Sequence, residues 1–332
     1  MTAATPKSIN PERESHPLLL TLLGSTISDL HQERILAILK AHSLEIADAD
    51  QLTASLAPTQ EPFNAVLQWT LAGQPVDENT LRAELLAAAT DLSLDIALQH
   101  DTPHRTNRRL FAFDMDSTLI QGEVIDELAK LAGVGEEVSK ITEAAMRGEL
   151  NFDESFTRRV GLLKGLPAEQ VLALHERIPL SPGAERLFRI LKSRGYYTAI
   201  LSGGFTFFAK SLQARLGIDE FHANELEILD GKVTGRVIPP IMNGARKAAM
   251  LQQIAERENI PLEEAVAVGD GANDLPMMGL AGMGIAYRAK PIVRAQADHS
   301  ITSLGLDGLL YLIGLRDQDL HLVSASSSVA AR

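Results

Sequence analysis

The chain of 332 residues contains no cysteine. Disulfides, thiol catalysis and cysteine-ligated zinc or iron–sulfur centres are therefore excluded, and a cytoplasmic location is the expectation. No apolar run approaches the roughly 18 residues that span a bilayer. The first 16 residues are polar, with Pro6, Pro11 and mixed charges, and lack the basic-then-apolar layout of a signal peptide. A basic block is also missing. Lysine and arginine total 31 against 43 acidic residues, a net charge of −12. Such a chain is a poor candidate for nucleic-acid binding. Any phosphate it binds must be held by a local cluster against the overall field. No Walker-type glycine loop implies a nucleotide, and no internal repeat stands out.

The hydrophobic content of 45% supports a sizeable core, and the length admits two domains. Residues 1–16 and the Ser- and Ala-rich tail 316–332 read as flexible. Between residues 17 and 100 the pattern predicts strand 17–23, helix 30–42, strands 43–56 and 62–71, helix 77–90 and strand 92–99. This βαββαβ order suggests a ferredoxin-like domain, similar in topology to the ACT family of ligand-sensing domains. The topology alone motivates an amino-acid effector there, and a homodimer is compatible with it. Residues 101–109, with Arg105, Arg108 and Arg109, read as a solvated linker.

From residue 110 to about 315 strands alternate with helices near 184–194, 206–216 and 245–258. The expected class is α/β, a parallel sheet with helices on both faces. Three apolar segments end in small or acidic residues: Phe113 before Asp114, Leu201 before Ser202, and Val268 before Gly269-Asp270. In such sheets ligands bind beyond the carboxyl ends of the strands. A further strand is expected at 284–286, and Asp230-Gly231 signals a tight hairpin. Residues 122–180 carry helical segments without strand pattern and read as a cap over the site.

Asp114-Met115-Asp116-Ser117-Thr118 follows the apolar run 110–113. Two carboxylates at the end of a buried strand need a partner, a metal or a reaction. Asp114 can attack phosphorus and split hydrolysis into two steps. Asp116 can protonate the leaving alkoxide and then deprotonate water. Their oxygens also suit magnesium. A polar turn with an N-cap aspartate would use the same residues. Ser202-Gly203-Gly204 offers a hydroxyl and backbone N–H groups to phosphate, or makes an ordinary strand-to-helix turn. Lys247 stands near a helix start, where it can neutralise phosphoryl charge or lie in solvent, with Arg246 as a local competitor. Gly269-Asp270-Gly271-Ala272-Asn273-Asp274 again puts acids after an apolar strand. Asp270 can ligate magnesium, and Asn273 and Asp274 can orient the metal, its waters or Lys247. An EF-hand is excluded by the ligand spacing.

Taken in order, these four segments resemble the haloacid dehalogenase superfamily (HAD) over about residues 108–315. The resemblance implies a Rossmann-like parallel sheet with a helical cap, Mg2+ as cofactor, and metal contacts from Asp114, Asp116 and Asp270 with Asp274 behind them. Asp116 sets the chain apart from transport ATPases, which carry threonine there, and from dehalogenases, which lack the acid. Glu123 and the segment Asn151-Phe152 to Arg158-Arg159-Val160 are similar to the phosphoserine phosphatase family within that superfamily. That likeness implies hydrolysis of O-phospho-L-serine through an aspartyl-phosphate, the last step of serine biosynthesis. By it, Arg159 would bind the substrate carboxylate and Glu123 the ammonium. Ser202, Gly203, Lys247 and Asn273 would hold phosphate, and Met146 and Phe152 would pack over the substrate. A related phosphatase or phosphotransferase, or an amino-acid-binding regulator with a vestigial site, are the competing readings.

Overall fold

The computed structural model describes residues 16–53 and 65–320. The expected flexible arm lies outside them but for His16, as do residues 54–64 and the tail from 321 onward. Among the described residues no helix is long and apolar enough to cross a membrane.

The first part runs β1 (Leu18–Gly24), α1 (Asp29–Ala41), β2 (Glu45–Gln51), β3 (Ala65–Ala72), α2 (Glu78–Leu92) and β4 (Asp95–His100). The strands form an antiparallel sheet in the order β2-β3-β1-β4. Alternation along β1 explains its two faces. Leu18, Leu20 and Leu22 meet Ile35 and Leu39 of α1 and Leu81 and Leu85 of α2. Leu23, with Val66 and Ala97, turns the other way and joins the cluster that holds Leu304, Leu310 and Tyr311. The helices begin where the sequence supplies caps: Ser28 accepts from the His31 N–H, and Asp77 from that of Asn79. The buried Asp95 heads β4, and its carboxylate accepts N–H bonds from Thr302, Ser303 and Leu304 at 2.7 to 3.1 Å.

The stretch 101–109 is not the solvated linker that its composition suggests. It contains the short helix α3 (Pro103–Thr106), and Arg105 and Arg108 are buried. Arg105 pairs with Asp101 at 2.8 Å, Arg108 donates to the Glu263 carbonyl, and Arg109 pairs with Glu264. The cause is topological. The strands that follow residues 109 and 264 are neighbours, so a buried glutamate at the head of one needs a cation from the head of the other.

The second part is a seven-stranded sheet. Its elements are β5 (Leu110–Phe113), then α4 (Val124–Ala132), α5 (Gly135–Met146), α6 (Phe152–Leu162) and α7 (Ala168–Leu172). After α8 (Ala184–Ser193) come β6 (Tyr197–Phe205), α9 (Thr206–Leu216), β7 (Glu220–Leu229), β8 (Lys232–Ile238), α10 (Gly244–Arg257) and β9 (Ala265–Gly269). The chain closes with α11 (Leu275–Leu280), β10 (Met283–Tyr287), α12 (Pro291–Arg294), β11 (His299–Ile301) and α13 (Leu309–Leu312). The strand order is β11-β10-β9-β5-β6-β7-β8. Every pair is parallel except β7–β8. That pair is the expected Asp-Gly hairpin, with Asp230 and Gly231 both at positive φ. Both faces of β5 are buried. Phe111 and Phe113 face one core, and Leu110 and Ala112 the other. The connection leaving β5 runs to β6 on one side, and the connection leaving its neighbour β9 runs to β10 on the other. The crevice between β5 and β9 is therefore the switch point where ligands bind in open α/β sheets.

Helices α4 to α7 form an insertion between β5 and β6. Gly133 ends α4 at φ 70°, and Asn151 with Glu154 makes a reciprocal cap at the start of α6. At the far end order continues beyond residue 315, the limit expected from sequence. Asp317 N–H donates to the Leu52 carbonyl at 3.0 Å, and Arg316 pairs with Asp50 at 2.5 Å.

Candidate active site

Asp114 follows the last residue of β5, and its N–H donates to the Val268 carbonyl of β9 at 2.8 Å. The nucleophile candidate thus stands at the switch point. Its Oδ1 accepts from the Met115 N–H at 2.7 Å and lies 2.9 Å from Lys247 Nζ. Lys247 sits in the first turn of α10 and is 0% exposed. Its ammonium also reaches Asp274 Oδ1 at 2.7 Å. Burial pulls its proton affinity down, but Asp114 and Asp274 outweigh that and hold it above the ordinary value. The solvated-lysine alternative is therefore excluded.

Asp114, Asp270 and Asp274 bring carboxylate oxygens within 4.8 Å of one another. Burial, reinforced by the neighbouring acids, pushes Asp270 up to about 8 and Asp274 to about 7. Three acids against one lysine leave the cluster short of positive charge. An all-oxygen donor set of this kind fits a hard divalent cation.

Asp116 turns away from that cluster. Its Oδ1 accepts from the Val124 N–H at 2.8 Å, at the start of α4. Burial and then the charge of Glu123 raise its proton affinity. The space for this carboxylate comes from Gly204, where an added Cβ would stand 2.3 Å from Asp116 Oδ2. Ser117 adopts φ 55° and donates from its hydroxyl to Glu123 at 2.9 Å. Thr118 Oγ1 is 3.4 Å from Asp270 Oδ1.

Ser202 to Gly204 do not form the expected strand-to-helix turn. They remain within β6, where the pairing with β7 shifts register between Leu201 and Phe205. The reason is that Asn224 of β7 bonds the Gly203 carbonyl at 2.7 Å in place of the regular ladder. The Gly204 N–H donates to Ser202 Oγ at 2.9 Å. From the cap, Phe152 lies over Gly203, with its Cζ 2.9 Å from an added Cβ.

Arg159 of α6 is largely buried, faces the charges of Glu123, Asp126 and Asp116, and leaves its Nε without a hydrogen-bond partner. Burial lowers its proton affinity against those acids. Arg158 beside it is exposed. The structure thus distinguishes two arginines that only motif position separates in the sequence. Glu123 stands just before α4 without a side-chain capping bond, and burial raises its proton affinity against the opposing Ser117 bond. Met146 closes α5 with a side chain 65% exposed, its sulfur 3.5 Å from Lys290 Nζ. Asn273 is partly buried just before α11, with its carbonyl packed on Gly244.

Three residues of this neighbourhood escape sequence reasoning. Asn224 and Asn243 are polar side chains outside any motif, and Asp153 is one acid among several in its segment. Asn243 Nδ2 donates to both oxygens of Asp153, at 3.1 and 3.2 Å. The only sequence signal available was the cap position of Asn243, whose Oδ1 accepts from the Arg246 N–H.

A family model described as haloacid dehalogenase-like hydrolase matches residues 111–279. A phosphoserine phosphatase of Archaeoglobus fulgidus is 48% identical over 239 residues, 72% of this chain and 70% of that protein. One of Vibrio cholerae is 39% identical over 308 residues, 90% of this chain and 92% of its own length. A solved structure described as a probable phosphoserine phosphatase from Vibrio cholerae, in unliganded form, aligns with a TM-score of 0.72 at 34% identity. The alignment covers 95% of this chain and 90% of that one.

Proposed function

Because this chain belongs to the haloacid dehalogenase-like hydrolases, we propose that it is a phosphoserine phosphatase, releasing serine and inorganic phosphate from O-phosphoserine. One observation carries the reading. Asp114 and Lys247 meet at the switch point of the sheet, while Glu123 and the unpartnered Arg159 Nε face each other beneath the cap. The first pair suits a phosphate and the second a zwitterion.

Asp114 attacks phosphorus, and the serine alkoxide leaves with a proton from Asp116. The raised proton affinity of Asp116 supports its role as the acid. Asp116 then takes a proton from water, the water oxygen attacks phosphorus, and the Asp114–phosphorus bond breaks to release phosphate. Lys247, the Ser202 hydroxyl, the Gly203 backbone and Asn273 hold phosphoryl oxygens. Arg159 takes the carboxylate through its planar fork, Glu123 takes the ammonium, and Phe152 and Met146 cover the substrate. Asp114, Asp270 and the Asp116 carbonyl would hold Mg2+, with Asp274 behind them. When bound, the ion neutralises charge on the transferring phosphoryl group.

The βαββαβ order and sheet order of residues 17–100 support an ACT-like domain that binds an amino-acid effector. Residues 110–315 would be the phosphatase domain, with the cap near 122–180.

A phosphate-release panel of L-phosphoserine, D-phosphoserine, phosphothreonine and sugar phosphates tests the substrate. L-phosphoserine should give the highest kcat/KM, and a preference for sugar phosphates overturns the assignment. Asp114→Asn should bind substrate without turnover, and chelation should silence the enzyme until magnesium is restored.

A further inference from the structure

Asn224 lies in β7, outside all four motifs, and is 1% exposed. Its Nδ2 donates to the Gly203 carbonyl at 2.7 Å and its Oδ1 accepts from the Met242 N–H at 2.8 Å. The first bond reaches the Ser202-Gly203 segment. The second reaches the residue before Asn243, the cap of the helix that carries Lys247. We propose that Asn224 is a positioning residue for phosphate recognition, setting the Ser202 hydroxyl against Lys247. The proposal rests on the reading above that Ser202 and Lys247 hold phosphate.

The ladder between β6 and β7 is irregular. Leu201 pairs with His222 and Phe205 with Asn224, so four steps along β6 face two along β7. Residues 202–204 are displaced from regular pairing, and two of them are glycines, whose backbones rotate freely. Something must fix the peptide between Gly203 and Gly204. Its carbonyl and N–H are opposite ends of one planar unit. Asn224 holds the carbonyl end. The N–H end is thereby aimed at Ser202 Oγ, which it meets at 2.9 Å. With its oxygen occupied as an acceptor, the Ser202 hydroxyl keeps its own proton to donate to a phosphate oxygen. The Met242 bond ties the same amide to the entry of α10. Only a neutral side chain with donor and acceptor on one carbon does both. An aspartate would face the Gly203 carbonyl with a charge, and an alanine would leave both backbone groups unbonded.

The test is calorimetric titration of the full chain, in magnesium, with inorganic phosphate and separately with L-serine. Asn224→Ala should weaken phosphate about tenfold, the loss of one such bond. Serine affinity should stay within about twofold, because Glu123 and Arg159 stand on other elements. A purely structural role would move both ligands together, and that result, or no change in either, overturns the proposal. Should Asn224→Ala fail to fold, Asn224→Ser is read by the same phosphate-to-serine ratio, with the same two outcomes. Failure of the unaltered chain to bind phosphate would instead sink the functional reading.

Discussion

Asn243 uses one amide to join two helices. Its Oδ1 caps α10 through the Arg246 N–H at 3.1 Å, while its Nδ2 bridges both carboxylate oxygens of Asp153 in the first turn of α6. Lys247 stands one turn along the first helix, and Phe152 and Arg159 belong to the second. The contact therefore ties the part of the cap that would grip the substrate to the helix that would neutralise its phosphate.

Asp153→Ala removes the tie without touching substrate. A lost hydrogen bond to a charged group, about 1.5 kcal/mol, corresponds to roughly a tenfold fall in kcat/KM. Most of it should appear in KM, because the tie holds the helix whose Phe152 and Arg159 would bind the substrate. Steady-state kinetics with an unchanged KM would remove the tie from function.

Gly204→Ala places a methyl carbon 2.3 Å from Asp116 Oδ2 and 2.5 Å from Met115 Cε. Asp116 must swing off its Val124 bond. Misplacing a general acid costs about 100-fold or more in kcat. Magnesium affinity should hold, since the added methyl meets the Asp116 side chain and not its carbonyl, and the Asp114, Asp270 and Asp274 cluster is untouched. Parallel turnover and metal titrations check both halves.

Lys247→Ala leaves Asp114 and Asp274 facing each other without a cation. Breaking a buried pair in this way costs about 3–5 kcal/mol. Thermal unfolding in chelator should show the loss, and magnesium should narrow the gap by supplying positive charge. Unaltered stability in chelator would contradict the buried ion pair.

Arg159→Ala should lower kcat/KM for phosphoserine by roughly 30- to 150-fold, equivalent to about 2–3 kcal/mol for a charge-assisted pair. Phosphoethanolamine, which lacks the carboxylate, should lose far less. Arg158→Ala, at an exposed position, should change either substrate by no more than about twofold. Equal losses on the two substrates would take Arg159 out of carboxylate recognition.

Acid should weaken the first part of the chain through Glu78. Its hydrogen bond with His100, opposed by burial and aided by Arg82, holds its carboxyl at about 2 against an ordinary value of 4.5. A depressed value means stability that is fully present above the ordinary value and disappears as pH falls through the folded one. Urea midpoints of the unaltered chain and Glu78→Gln should differ at pH 6 and converge near pH 2. A gap independent of pH would mean the pair contributes through packing alone.

The sequence exposes those parts of the site whose cause is local. An apolar run ended by acids is visible at Asp114 and Asp270 because a buried strand needs both halves of that pattern. The Asp230-Gly231 hairpin is visible because its turn demands residues that tolerate positive φ. What stays hidden depends on neighbours remote in the chain. Arg108 and Arg109 look like a solvated cluster until Glu263 and Glu264 arrive more than 150 residues later. Ser202-Gly203-Gly204 looks like a turn because nothing nearby announces that Asn224, 21 residues on, will stand in for a ladder bond.

The junction at Asp95 changes what a shortened protein can teach. Three N–H groups of residues 302–304 find their acceptor in β4, and Leu23, Val66 and Ala97 share a cluster with Leu304, Leu310 and Tyr311. A chain begun at residue 101 would bare that hydrocarbon and orphan those amides. Any change in its activity would therefore report an altered interior as well as the missing first sheet. The two sheets share hydrocarbon and backbone hydrogen bonds, so neither presents a complete surface without the other.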